Sequence, residues 1–153
     1  MRKFIFVFLF FLSASPGIAE DSKDYSKYTD PTYDDPDYAI PSPYKLTRIK
    51  KIIITKPSSK TNPNADENCA QFIITRKRVT FFFKYARTIS NASWMHDYPL
   101  SYCTAEGTIQ FVNGDKASWT LMRNGTAIME IENGSFKDKL IFLHCRKCEE
   151  WDE

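Results

Sequence analysis

Three Asn-Gly pairs, Asn113-Gly114, Asn124-Gly125 and Asn133-Gly134, divide the C-terminal part of this chain into four strand-like runs at 102–112, 117–123, 126–132 and 139–145. Both residues of such a pair tolerate positive φ, which is what the tight turn of a β-hairpin demands. The runs between them alternate. Ala117, Trp119 and Leu121 fall on one side of their strand and Ser118, Thr120 and Met122 on the other, the period of a half-buried sheet. A four-stranded antiparallel meander follows, and its apolar face requires a covering layer.

Residues 76–90 supply that layer. Thr75 is placed to cap a helix, and Val79, Phe82, Phe83, Ala86 and Ile89 recur at three- and four-residue steps, so they share one face. Thr80, Lys84, Arg87 and Asn91 line the other side. A basic amphipathic helix is able to touch anionic lipid, but an apolar side buried on a sheet with a solvated charged side is the commoner arrangement and the one expected here. Upstream, 45–56 carries Ile49, Ile52, Ile53 and Ile54 and reads as a first strand stopped by Pro57. Residues 58–68 form a loop of Ser, Asn, Pro and Lys, and 69–75 a second short strand. Residues 91–102 read as a loop. The expected class is α+β: a β-meander of about four strands, one or two N-terminal strands, and a single amphipathic helix packed on the sheet.

The chain opens with Met1-Arg2-Lys3, an apolar run from Phe4 to Leu12, and Gly17-Ile18-Ala19. A basic start, a short apolar stretch and small residues at −3 and −1 are the pattern of a cleavable export signal. The run is far short of the roughly 20 residues that span a bilayer as a helix. Residues 1–19 are thus read as a signal peptide, with cleavage near Ala19, and 45–153 as one disulfide-bearing domain. Between them, 20–44 is an acidic arm with Tyr25, Tyr28, Tyr33, Tyr38 and Tyr44 and prolines at 31, 36, 41 and 43. Those prolines argue against helix or central strand, so a flexible leader is expected.

The formal net charge of +2 conceals three blocks. Residues 20–39 sum to −5, 40–87 to +9 and 88–153 to −4. Clustered charge raises local potential and attracts an opposite partner. The simpler arrangement has the acidic block neutralising the basic one within the molecule. An export signal on a chain that is net neutral once cleaved excludes nucleic acid as a natural partner.

Cys69, Cys103, Cys145 and Cys148 in a small exported domain imply two disulfides. The ends of the meander suggest that Cys69 and Cys103 pair with the Cys145/Cys148 couple. Cys145-Arg146-Lys147-Cys148 has redox spacing, but a redox motif of this kind opens a helix after a strand, and only five residues follow Cys148. Zinc would be better marked by a second close pair, and Cys69 and Cys103 stand alone. His96-Asp97 and His144 carry acid–base chemistry in principle, yet no phosphate loop, nucleophile elbow, zincin or calcium motif accompanies them. No catalytic residue, metal ligand or cofactor is assigned. Asn91, Asn124 and Asn133 lie in glycosylation-type triplets, two of them at expected turns.

What remains is an exported small binding protein, in the periplasm or outside the cell, with a protein inhibitor or immunity-type neutraliser as the leading role. The competing readings are a thiol oxidoreductase using Cys145/Cys148, a small hydrolase using His96, and a structural component of an envelope assembly. The expected partner is another protein at the envelope or outside, with neither nucleic acid nor a stable membrane anchor. Trp94, His96, Tyr98, Tyr33 and Tyr38 are the contact candidates, because aromatics anchor interfaces.

Overall fold

A computed structural model describes residues 36–148 of the 153-residue chain. The signal-like segment 1–19, residues 20–35 of the acidic segment and with them Tyr33 lie outside the described residues. The elements in chain order are α1 (Pro36–Ala39), β1 (Ile49–Lys60), α2 (Arg76–Tyr85), β2 (Arg87–Ile89), α3 (Asn91–His96), β3 (Cys103–Phe111), β4 (Lys116–Met122), β5 (Thr126–Ile131) and β6 (Leu140–His144). The strands form one antiparallel sheet in the order β1-β3-β4-β5-β6-β2. The fold is α+β, one sheet with one substantial helix.

The alternation read from the sequence sets the two faces. Ala105, Ile109 and Phe111 of β3, Ala117, Trp119 and Leu121 of β4, Ala127, Met129 and Ile131 of β5, and Ile141 and Leu143 of β6 are buried on one side. Val79, Phe82 and Phe83 of α2 join the same core, together with Phe72 and Ile74 from the segment leading into the helix. Thr75 Oγ1 accepts a hydrogen bond from Arg78 N at 3.3 Å and caps the helix as its residue type suggests. Thr75→Ala is expected to cost about 1 kcal/mol, read as a lowered urea midpoint with unchanged slope.

Gly107 sits where the sheet is tightest. It faces Trp119 across β4 and Ile54 across β1. A Cβ at this position would collide with the Ile53 carbonyl and the Trp119 ring. The missing side chain is what lets the indole lie against β3 while β1 stays paired.

Several local expectations are corrected. The helix ends at Tyr85 rather than running to residue 90, because Ala86 is extended and the chain turns into β2, pairing Arg87 to Ile89 with His144 to Phe142. Strand β1 passes through Pro57 to Lys60. It tolerates the proline on an edge strand, at a register shift between Lys56 and Ser59. Residues 69–75 are not a strand; Phe72 and Ile74 enter the core from the irregular stretch that follows a turn at 70–71. The loop at 91–102 begins with α3, capped by Ser90 Oγ on Ser93 N at 3.0 Å. Pro36 stands at the first position of α1, where a proline lacks no needed donor.

The hairpins also differ in detail. At Gly114, Gly125 and Gly134 only the glycine takes positive φ, at 96°, 78° and 80°, and each preceding asparagine stays negative. Gly125 N donates to Met122 O at 3.1 Å and Gly114 N to Phe111 O at 3.1 Å, so each turn ends on a left-handed glycine. The third excursion is longer, with a 3₁₀ turn at Gly134–Phe136 before β6. Asn133 reaches back from it: its Oδ1 accepts from Lys116 N at 2.6 Å and its Nδ2 donates to Gly114 O at 3.1 Å.

Both disulfides are intramolecular. Cys69 pairs with Cys103, Cα to Cα 5.2 Å, and Cys145 with Cys148, 5.3 Å. The expected cross-pairing is therefore wrong. Cys103 and Cys145 do lie at the same end of the sheet, but β4 and β5 separate their strands, placing them roughly 14 Å apart at ordinary strand spacing. A bridge needs about 4.4–6.8 Å between Cα atoms. The return of the 61–68 loop brings Cys69 to Cys103 instead, and a 3₁₀ turn at Arg146–Cys148 folds Cys148 onto Cys145.

The end of the acidic segment is packed against the domain. Tyr38 and Tyr44 are buried, and the Tyr44 ring meets Phe136 edge-on at 5.2 Å. Its hydroxyl donates to Asp115 Oδ2 at 3.0 Å, and Asn113 Nδ2 donates to the same oxygen at 2.7 Å. Burial first, then the hydrogen bond and charge of Asp115, hold the Tyr44 phenol well above its ordinary 10.0. The sign follows from linkage. Above pH 10 the unfolded chain ionises this tyrosine while the folded chain keeps it protonated, so the stability it contributes is complete below pH 10 and lost as pH rises beyond it. Unfolding titrations at pH 9 and 11 should show a steeper alkaline loss in the wild type than in Tyr44→Phe.

Candidate binding surface

The helix covers one face of the sheet; among the described residues no element covers the other over β1, β3, β4 and β5. Its rows follow from the strand register. Ile53, Thr108, Ser118, Glu130 and Leu140 form one, and Lys56, Glu106, Thr120, Ile128 and Phe142 the next. Beside them run Lys51, Gln110 and Lys116. These side chains are half-buried or exposed, in alternation with the buried set. The four strands present a patch about 15 Å across and about 20 Å along.

Charge on this face is mixed. Lys56 Nζ and Glu106 Oε2 form an ion pair at 2.9 Å, and Lys51, Lys116 and Glu130 stand elsewhere on the face. Short hydroxyl side chains fill the centre. Ile53, 45% exposed, and Leu140, 52% exposed, stand at opposite ends of one row. A surface of this composition gives hydrogen-bond donors and acceptors in fixed positions between apolar ends.

Helix α3 borders the open face over β6. Trp94 packs on Phe142 with ring centroids 5.4 Å apart, and Tyr98 on His144 at 4.3 Å. Tyr38 Oη lies 3.0 Å from His96 Nε2. Four of the sequence candidates, Tyr38, Trp94, His96 and Tyr98, are thus brought to one border. Their rings are largely spent inside the molecule: Tyr38 is buried and Trp94 and Tyr98 are half-buried, leaving His96 exposed. The residues this border offers outward are instead Met95, 48% exposed, and Leu100, 73% exposed. Sequence reasoning missed both, because nothing in a run of loop-like residues tells which side chains a neighbouring strand will absorb. A groove of ≈ 460 Å³ continues from this border between residues 38–43 and β6, walled by Ile40, Pro43, Ile89, Leu140 and Phe142.

Among the described residues no cysteine is free and no group of His, Cys, Asp and Glu is placed to hold a metal ion. Both sulfurs of the Cys145–Cys148 bridge belong to fully buried residues. His96 faces a tyrosine hydroxyl rather than a serine or thiol. Two of the glycosylation-type asparagines use their Nδ2 inside the fold: Asn133 as above and Asn124 by donating to Pro99 O at 2.7 Å. Among the described residues no helix is long and apolar enough to cross a membrane. No protein family, curated protein or solved structure is found to match the chain.

Proposed function

We propose that the protein is an exported binding module that engages another protein, at the cell envelope or outside the cell, through the open face of its sheet. The observation that carries this reading is the one-sided burial of the sheet. Rows of Thr108, Ser118 and Thr120, edged by Ile53 and Ile128, are held rigidly by β-pairing and left uncovered by any described element. Preorganised side chains lose little entropy on binding, which is where much of an interface's affinity is gained or lost. The sheet patch by itself, about 300 Å² in projection, is under half of the roughly 800 Å² that one partner contributes to a standard interface, so the α3 border with Met95 and Leu100 is counted as part of the contact surface.

Inhibition or neutralisation of the partner is the role this rigidity suits best, since an inhibitor must hold its shape against the protein it blocks. Two buried disulfides fit a chain built for an oxidising compartment. Their burial favours a stapling role over thiol exchange, which needs an accessible sulfur.

Affinity capture from extract of the source cells tests the proposal. Wild-type protein should retain a partner that a Ser118→Arg/Thr120→Arg variant loses by at least about tenfold, the cost of a misplaced desolvated charge. Equal retention by both, with both folded by circular dichroism, would remove the sheet face from the account.

A further inference from the structure

The outward side of α2 differs from an ordinary solvated helix face. Lys77, Phe81 and Tyr85 succeed one another at four-residue steps and so share one stripe, with Lys84 beside them. Phe81 is 41% exposed and Tyr85 38%. Their rings pack at 4.6 Å, and the Tyr85 ring carries two ammonium groups, Lys84 Nζ at 5.2 Å and Lys147 Nζ at 4.3 Å from its centroid. Lys147 comes from the turn that closes the Cys145–Cys148 bridge, so a second element is drawn into the same patch. From Gln71 to His96 the chain has no acidic residue, while it holds Arg76, Lys77, Arg78, Lys84 and Arg87.

We propose that this face docks the protein peripherally on an anionic phospholipid surface. The chemistry asks for both halves of the patch. The lysines and arginines match lipid phosphates, and the Phe81 and Tyr85 rings enter the headgroup boundary, where an amphipathic aromatic is at its most favourable. A soluble polyanion would satisfy the cations and leave the phenyl ring of Phe81 in water. The helix lies on the covered side of the sheet, so docking through its outer stripe turns the open face away from the bilayer, toward a partner. The attachment is reversible, by charge and two rings, and involves no membrane-spanning element.

The test uses the exported chain, residues 20–153, because the apolar run Phe4–Leu12 of the cleavable signal would itself enter any vesicle, and it retains the acidic Glu149, Glu150, Asp152 and Glu153 that follow the patch in sequence. Co-sedimentation is measured with vesicles of phosphatidylcholine alone and of phosphatidylcholine with phosphatidylglycerol at three to one. Binding is expected to the anionic vesicles only, and to fall in high salt. Lys77→Glu/Lys84→Glu should weaken it by at least about 25-fold, taking about fivefold for each surface cation lost before the repulsion of the two added carboxylates. Phe81→Ala should weaken it by at least about threefold, with the urea midpoint of both variants near wild type. Equal binding to neutral and anionic vesicles would overturn the proposal, as would wild-type binding by the charge-reversed variant. So would retention on a sulfated polysaccharide, unaffected by Phe81→Ala, with no vesicle binding.

Discussion

Replacing Gly107 with alanine is expected to lower the stability of the fold by about 3 kcal/mol or more, the upper range for forcing atoms into a filled core. The added Cβ meets the Ile53 carbonyl on one side and the Trp119 ring on the other. A flexible side chain would swing away, but a backbone carbonyl moves only with its strand. Relief therefore means displacing β1 from β3 or expelling the indole from the core, where Trp119 packs near Phe83 at 6.3 Å. Urea unfolding followed by tryptophan fluorescence should show a much lower midpoint and a changed native spectrum. A midpoint within experimental error of the wild type would mean that β1 does not pair with β3 as described.

The second large effect distinguishes the two disulfides. Cys69 and Cys103 are 34 residues apart in sequence, and Cys145 and Cys148 only 3. Chain-entropy reasoning gives about 4 kcal/mol for closing the longer loop and about 2 kcal/mol for the shorter. The longer bridge also ties the loop after β1 to the first residue of β3, whereas the shorter one only fixes a turn beyond β6. Cys69→Ala/Cys103→Ala should accordingly unfold at a clearly lower urea concentration than Cys145→Ala/Cys148→Ala. The reverse order would show that the terminal turn, and its packing against α2, stabilises the domain more than the stapled loop does.

The parts of this fold legible in the sequence are those decided by neighbours along the chain. Alternation at Ala117, Trp119 and Leu121, the Asn-Gly turns, and the Thr75 cap before Val79, Phe82 and Phe83 all express local geometry, and each is present. What escaped depends on partners distant in sequence. Residues 87–89 look helical by periodicity, yet the edge of β6 recruits them as a strand. Pro57 looks like a stop, yet on an edge strand its missing donor costs little. The disulfide pairing turned on the sheet staying open, which no spacing of cysteines reveals. Tyr38 and Tyr44 look like free anchors in a proline-rich segment, and the structure buries both.

The candidate surface was legible only in outline. Alternation implies that Ser118 and Thr120 oppose the core, but not that the described residues leave the opposing face uncovered over four strands. The aromatic cluster at Trp94 to Tyr98 reads as a contact site in the sequence, and in the structure it packs chiefly on Phe142 and His144 as a border. Phe81 carries no such signal in the sequence, because its place beside the buried Phe82 and Phe83 does not reveal that its ring lies on the outward side of the helix.

The central claim, recognition of another protein through the open sheet face, is most directly tested by site-specific photo-crosslinking in cells of the source. A photoreactive residue at Thr120 of the full chain should give one discrete crosslinked protein, and the same residue at Lys77, on the opposite side of the domain, should not. Crosslinking of that protein from Lys77 and none from Thr120 would contradict the account and assign recognition to the helix side.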